Sequence, residues 1–177
     1  MRRGPVFLAA GVILLAGASL IVAVDTVAAK HEVAKRFGAT HAVPPDGLSD
    51  LIGEVTAGEG FDYAFDVVAI PQTLRTAWSA ARRGGTIVVV GAGRADHHVQ
   101  FSPFELLFEG KQIVPSLYGS ANARRDYGRL LDLWRAGRLD LEGMISHRLR
   151  LDDIDQAMAA LGNGDVIRQV IINEPQA

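Results

Sequence analysis

The sequence predicts an α/β fold, a doubly wound and mostly parallel sheet with helices on both faces. Three observations carry that prediction. Short, β-branched apolar runs recur at residues 20–24, 63–68, 86–90 and 166–172, each the length of a buried strand. Between them lie stretches with apolar residues at helical spacing and a charged back, the pattern of helices packed on a sheet. The two patterns alternate along the chain, as they do where parallel strands are joined by crossover helices. The 177 residues, 49% hydrophobic and 21% charged, suit a single domain over 1–177 with a sizeable core. No internal repeat, low-complexity tract or linker interrupts it.

Taken in order, residues 6–15 read as a helix, and Gly17-Ala18-Ser19 as the turn into strand 20–24. That strand stops at one acidic residue, Asp25. A helix over 26–37 follows, with Val27, Ala28, Val33, Ala34 and Phe37 set against Lys30, His31, Glu32, Lys35 and Arg36. Gly38 falls where a helix C-cap belongs. A short strand at 41–43 ends at Pro44-Pro45, and a small helix over 48–56 is punctuated by Gly58-Glu59-Gly60. Strand 63–68 comes next. Pro71 opens a helix to about Arg83, a tolerated place for proline, and Gly84-Gly85 stops it. Residues 86–90 are the most strand-like run and close on Gly91-Ala92-Gly93.

After a polar loop at 94–101, Ser102-Pro103 starts a short helix to about Glu109. The run from Gln112 to Tyr118 reads as a strand interrupted by Pro115, which points to an edge position. An amphipathic helix then runs from Asn122 or Arg124 to Ala136, with Tyr127, Leu130, Leu131 and Trp134 on one face. A short strand at 145–151, a helix capped by Asp152-Asp153 and running through Leu161, and the strand at 166–172 complete the pattern.

Composition removes several chemistries. A net charge of −2 leaves no electrostatic footprint for nucleic acid. The chain has no cysteine, so disulfides and thiolate zinc sites are excluded. The five histidines have ordinary places: His31 on a polar helix face, His41 before a strand, His147 in a strand, and His97-His98 in a polar loop. The N-terminus admits two readings. Met1-Arg2-Arg3 and the apolar run behind it resemble an export signal, and residues 6–24 are long enough for a membrane span. Against this, Gly17 breaks the run where a helix-to-strand turn belongs, and regular α/β alternation follows. A buried helix, turn and strand in a cytoplasmic protein is the expectation, with export or anchoring through 6–24 the alternative.

The segments AGASLIVAVD, KHEVAKRFGATHAV, GFDYAFDVV, RRGGTIVVVG, SLYGSANARRD and GDVIRQVI, in that order and spacing, resemble the cofactor-binding half of zinc-dependent, medium-chain alcohol dehydrogenases. The resemblance covers residues 16–172 and implies a Rossmann sheet that binds NAD. It implies that Asp25 takes both adenosine ribose hydroxyls and disfavours the 2′-phosphate of NADP, where the plain alternative is a helix N-cap carboxylate. Lys30 matches a lysine that reaches the same ribose, or else is a solvated helix lysine. Val67 and Val68 fall on the adenine–ribose side, and Val90, Gly91 and Ala92 beside the nicotinamide. Ser116 and Tyr118 match positions whose backbone holds the carboxamide, although a tyrosine in an apolar strand also fits core packing. Arg168 matches an arginine that pairs with the pyrophosphate, or is an exposed strand charge.

The same comparison exposes what these residues lack. In the family, a separate catalytic domain carries the zinc ligands, the proton relay and the substrate pocket. No zinc is expected in this chain. The phosphate-binding glycine loop would fall near residues 1–6, where only Gly4 remains, and the first, central strand has no sequence. Its loss would leave two neighbouring strands with unpaired edges, unless residues 5–10 supply a makeshift strand. The chain therefore reads as an N-terminally truncated dehydrogenase or a reading frame begun too late, with weak or vestigial NAD binding and no alcohol oxidation on its own. A non-catalytic module that forms a homodimer through the Gln112 to Tyr118 edge strand is the competing function.

Overall fold

A computed structural model describes residues 13–14, 16–163 and 166–173. The expected helix over 6–15 lies outside them apart from residues 13–14, which are helical. So do the glycine-loop position and the makeshift strand over 5–10. Elements follow in the order β1 (Val22–Val24), α1 (Ala29–Arg36), β2 (His41–Val43), α2 (Leu48–Thr56), β3 (Phe61–Asp66), α3 (Pro71–Ala80) and β4 (Ala81–Val89). They continue with α4 (Pro103–Glu109), β5 (Gln112–Pro115), α5 (Ala123–Arg135), β6 (Ile145–Leu149), α6 (Ile154–Asn163) and β7 (Arg168–Ile171). Every strand pairing among the described residues is parallel: β1 with β2, β3 with β4, β4 with β5, and β6 with β7. Parallel strands joined by helices are the expected α/β architecture.

The chain divides into two compact units, one of residues Met1–Val43 with Ala123–Ala177 and one of Pro44–Asn122. In the first, Ile21, Ala23, Ala34 and Ala39 are buried together, with Val33, Phe37, Ala42 and Ile167 packed against them. Thr40 ties β1 to β2 at their starts: its hydroxyl accepts from Ile21 N and lies 2.9 Å from Ile21 O, while Thr40 N donates to the same carbonyl at 2.8 Å. Gly38, at φ +104°, ends α1 as expected, with Ala39 N returning to Ala34 O at 3.0 Å. The left-handed turn after a helix selects glycine because it carries no Cβ. Helix α1 begins at Ala29 rather than 26, because the Asp25 carboxylate holds Val27 N at 2.8 Å and shapes a turn first.

In the second unit the sheet order is β3-β4-β5. Trp78, Ala81 and Ile87 form its core, with Ala64, Leu74, Ala77 and Phe101 around them. Two boundaries differ from the sequence reading. Helix α3 stops at Ala80, not Arg83, because Ala81 turns extended and pairs with Phe61. The register then jumps so that Tyr63 faces Thr86. The Gly84-Gly85 pair thus shapes an irregularity within β4, where a Cβ on Gly85 would lie 2.8 Å from Arg82 O and 3.2 Å from Phe61 O. Strand β5 ends at Pro115. Tyr118, placed by the sequence in that strand, sits instead in a helical turn over Leu117–Ser120 at φ +49°, followed by Gly119 at +70°. Pro115 pairs with Val89 on one side, and β5 is an edge of this three-stranded sheet.

Candidate nucleotide-binding site

The candidate residues fall into both units. In the first, Asp25 follows directly on β1, half-buried, with its amide donating to Val43 O at 3.2 Å. Its Oδ1 accepts from Val27 N at 2.8 Å, and its carbonyl lies 2.8 Å from His31 Nε2. The strand end, the turn and the first turn of α1 are therefore fixed through one residue. The carboxylate does not cap the helix, whose N-cap position is Ala28 and has no side-chain bond. Lys30 is only 5% exposed, and its ammonium makes no hydrogen bond or ion pair among the described residues. A solvated helix lysine would stand open to water, and Lys30 does not. Arg168 opens β7, exposed, opposite Ile145, while its neighbour Ile167 packs against the Ile21–Ala23 core.

In the second unit, the loops after β3 and β4 meet. Val90 N and Gly91 N donate to the carbonyl of Asp66 at 2.9 and 3.0 Å. A Cβ on Gly91 would lie 2.7 Å from Val67 O, so only glycine allows this approach. Val67 and Val68 are half-buried, Val90 is 38% exposed, and Ala92 is exposed. Ser116 joins them through its amide, which donates to Val89 O at 2.8 Å. Tyr118 is 83% exposed, which rules out core packing for its side chain. In the loop beyond, Arg94 grips Asp96 through Nε and Nη2 at 2.8 and 2.7 Å, and that guanidinium holds the Asp96 carboxyl below the usual range.

One residue escaped the sequence reading. Asp66, 3% exposed, closes β3 as Asp25 closes β1. Its Oδ1 accepts from Val68 N at 3.1 Å, Ala69 N at 2.9 Å and the Thr73 hydroxyl at 2.9 Å. Its Oδ2 is buried without a hydrogen-bond partner among the described residues. The only signal in the sequence was its place between an apolar strand and a proline-opened helix.

An open hollow of about 490 Å³, lined by Glu59, Ser79, Arg83, Phe104, Phe108 and Lys111 among others, shares no residue with this group. Its cations are committed: Lys111 pairs with Glu109 and donates to Trp78 O at 2.7 Å, and Arg83 donates to Phe108 O at 2.5 Å. Among the described residues no three His, Cys, Asp or Glu side chains cluster to hold a metal ion, and no helix is long and apolar enough to cross a membrane.

Parallel strands joined by helices define a Rossmann-like α/β domain. A family model described as zinc-binding dehydrogenase matches residues 7–135, and the chain belongs to that family. It corresponds to the cofactor-binding domain. A class-3 alcohol dehydrogenase of Cereibacter sphaeroides is 33% identical over 171 residues, which cover 89% of this chain and 44% of that protein. A solved alcohol dehydrogenase zinc-binding domain protein from Burkholderia ambifaria superposes with a TM-score of 0.86 at 29% identity, over 94% of this chain and 45% of that one. A zinc-binding dehydrogenase from Sinorhizobium meliloti, solved bound to NADP, superposes with a TM-score of 0.80 at 25% identity, over 96% of this chain and 50% of that one. The chain spans a little under half the length of the curated relatives it matches.

Proposed function

We propose that the chain binds NAD as the dinucleotide-binding part of an alcohol dehydrogenase-like oxidoreductase. The observation that carries this reading is Asp25, a half-buried carboxylate at the carboxyl end of β1 whose Oδ1 is held by Val27 N. A carboxylate there accepts from the adenosine ribose hydroxyls and repels a 2′-phosphate. Lys30, buried on the first turn of α1, supplies the cation beside the same ribose. On this reading Val67 and Val68 line the adenine–ribose side, and Val90, Gly91 and Ala92 flank the nicotinamide. The backbone at Ser116 and Tyr118 receives the carboxamide, and the Arg168 guanidinium meets the pyrophosphate. When bound, the nicotinamide accepts or gives the hydride, and a catalytic domain of the kind this family carries supplies the alcohol. The reading places the protein in the cytoplasm.

An NADP-bound neighbour favours a second reading, in which the 2′-phosphate is tolerated. Calorimetric unfolding with NAD and with NADP separates the two. At about 100 times Kd, NAD is expected to stabilise the chain by about 2.7 kcal/mol, NADP by clearly less, and Asp25→Ala to abolish the NAD shift. Equal shifts from the two cofactors in the wild type would remove the NAD preference. No shift with either, in a chain that unfolds cooperatively, would remove the binding.

A further inference from the structure

We propose that Asp66 is a positioning residue of the dinucleotide site, which fixes the two loops that carry Val67, Val68, Val90 and Gly91. The proposal rests on the reading that this chain binds a dinucleotide. Asp66 serves both loops from one position. Its carboxylate gathers Val68 N, Ala69 N and the Thr73 hydroxyl, and so sets the loop between β3 and α3. Its carbonyl gathers Val90 N and Gly91 N, and so sets the loop after β4. Hydrogen bonds to a charged acceptor are the strong ones, and three converge on Oδ1.

Two unfavourable features sit at the same place. Oδ2 is buried without a partner among the described residues, and Ala69 holds a left-handed φ of +57° although it is not glycine. Unfavourable backbone conformations persist where the surroundings over-determine them, and they gather at functional sites. Here the Asp66 carboxylate is what holds Ala69 N, at 2.9 Å. The two loops also touch. A Cβ on Gly91 would come within 2.9 Å of Ala69 Cβ, and one on Gly93 within 2.5 Å of Ala69 O. Loosening the first loop therefore removes the wall against which the second is packed.

The test is NAD affinity by isothermal calorimetry on the folded full chain, for the wild type, Asp66→Ala, Asp66→Asn and the core variant Ile87→Val. Asp66→Ala is expected to weaken NAD by at least about tenfold. Asp66→Asn keeps an oxygen for the three donors and is expected to stay within about threefold. Ile87, 0% exposed in β4, provides a variant that lowers Tm without touching the loops and leaves Kd unchanged. Wild-type affinity in Asp66→Ala, or an equal loss in Ile87→Val, would overturn the proposal. Should Asp66→Ala fail to fold, Thr73→Val removes one of the three donors; a threefold weakening supports the proposal and an unchanged Kd overturns it. A wild type that takes up neither NAD nor NADP sinks the functional reading instead, and amide exchange then decides the clamp. Loss of protection in Asp66→Ala at both 67–70 and 90–93 supports it, and loss at 67–70 alone overturns it.

Discussion

Asp25 and Asp66 are the same residue type at the same kind of place, the carboxyl end of a parallel strand, yet their burial gives them different work. Both place Oδ1 on the amide two residues on, at 2.8 and 3.1 Å, the local bond that short acidic side chains make in turns. Asp25 is half-buried, at the position proposed to meet the ribose. Asp66 is 97% covered and faces its own loops. A third carboxylate acts on stability. Glu105 pairs with Arg75 at 2.7 Å, and that guanidinium lies 4.8 Å from the Phe101 ring centre. The hydrogen bond from Arg75 holds the Glu105 carboxyl below its ordinary range. A depressed folded value means the stabilisation is complete above the unfolded carboxyl value of about 4.3 and is lost as pH falls through the folded one. Acid unfolding curves for the wild type and Glu105→Gln should converge below that window and separate above it. Curves that stay parallel throughout would show that the pair adds nothing.

At the scale of elements, strong local patterns were legible and boundaries set by distant partners were not. Helix α2 matched residue for residue because its amphipathic run is bounded by its own turn chemistry, with Ala57 already left-handed at φ +53°. The end of α3 was misread, since Arg82-Arg83 continue a helical pattern and nothing local announces that Ala81 pairs with Phe61. Of the candidate site, the positions after strand ends were legible, Asp25 behind β1 and Val90 behind β4. The candidate site was illegible at Asp66, whose role comes from Val90 and Gly91 more than twenty residues on. The edge placement of β5, read from Pro115, agrees with the sheet order. If that edge pairs with a second copy, as proposed from the sequence, Ile113, 40% exposed, lies in the interface. Ile113→Lys should then yield a monomer in sedimentation experiments where the wild type is a dimer, because a charge on an edge strand opposes pairing. A monomeric wild type would end the idea.

At the scale of the molecule, each of the two units has its own buried cluster, around Ile21–Ala34 and around Trp78–Ile87. The family's chemistry joins a dinucleotide to a metal-bound alcohol, and this chain matches only the dinucleotide part of its relatives. The purified 177-residue chain is therefore expected to form no NADH from NAD and primary alcohols above a protein-free control. Turnover by a metal-free preparation would contradict that.

The distribution of tryptophan has a practical consequence. The chain has two, and each unit holds one. Trp78 is 1% exposed, tilted on Phe101 at 4.7 Å, with the Lys111 ammonium 5.1 Å from its ring. Trp134 is 40% exposed on α5. An indole shut away from water emits to the blue of one that touches it. Trp134→Phe leaves an emission that follows the second unit alone, and Trp78→Phe one that follows the first. The melting of the two halves can thus be watched in separate colours, without any attached label.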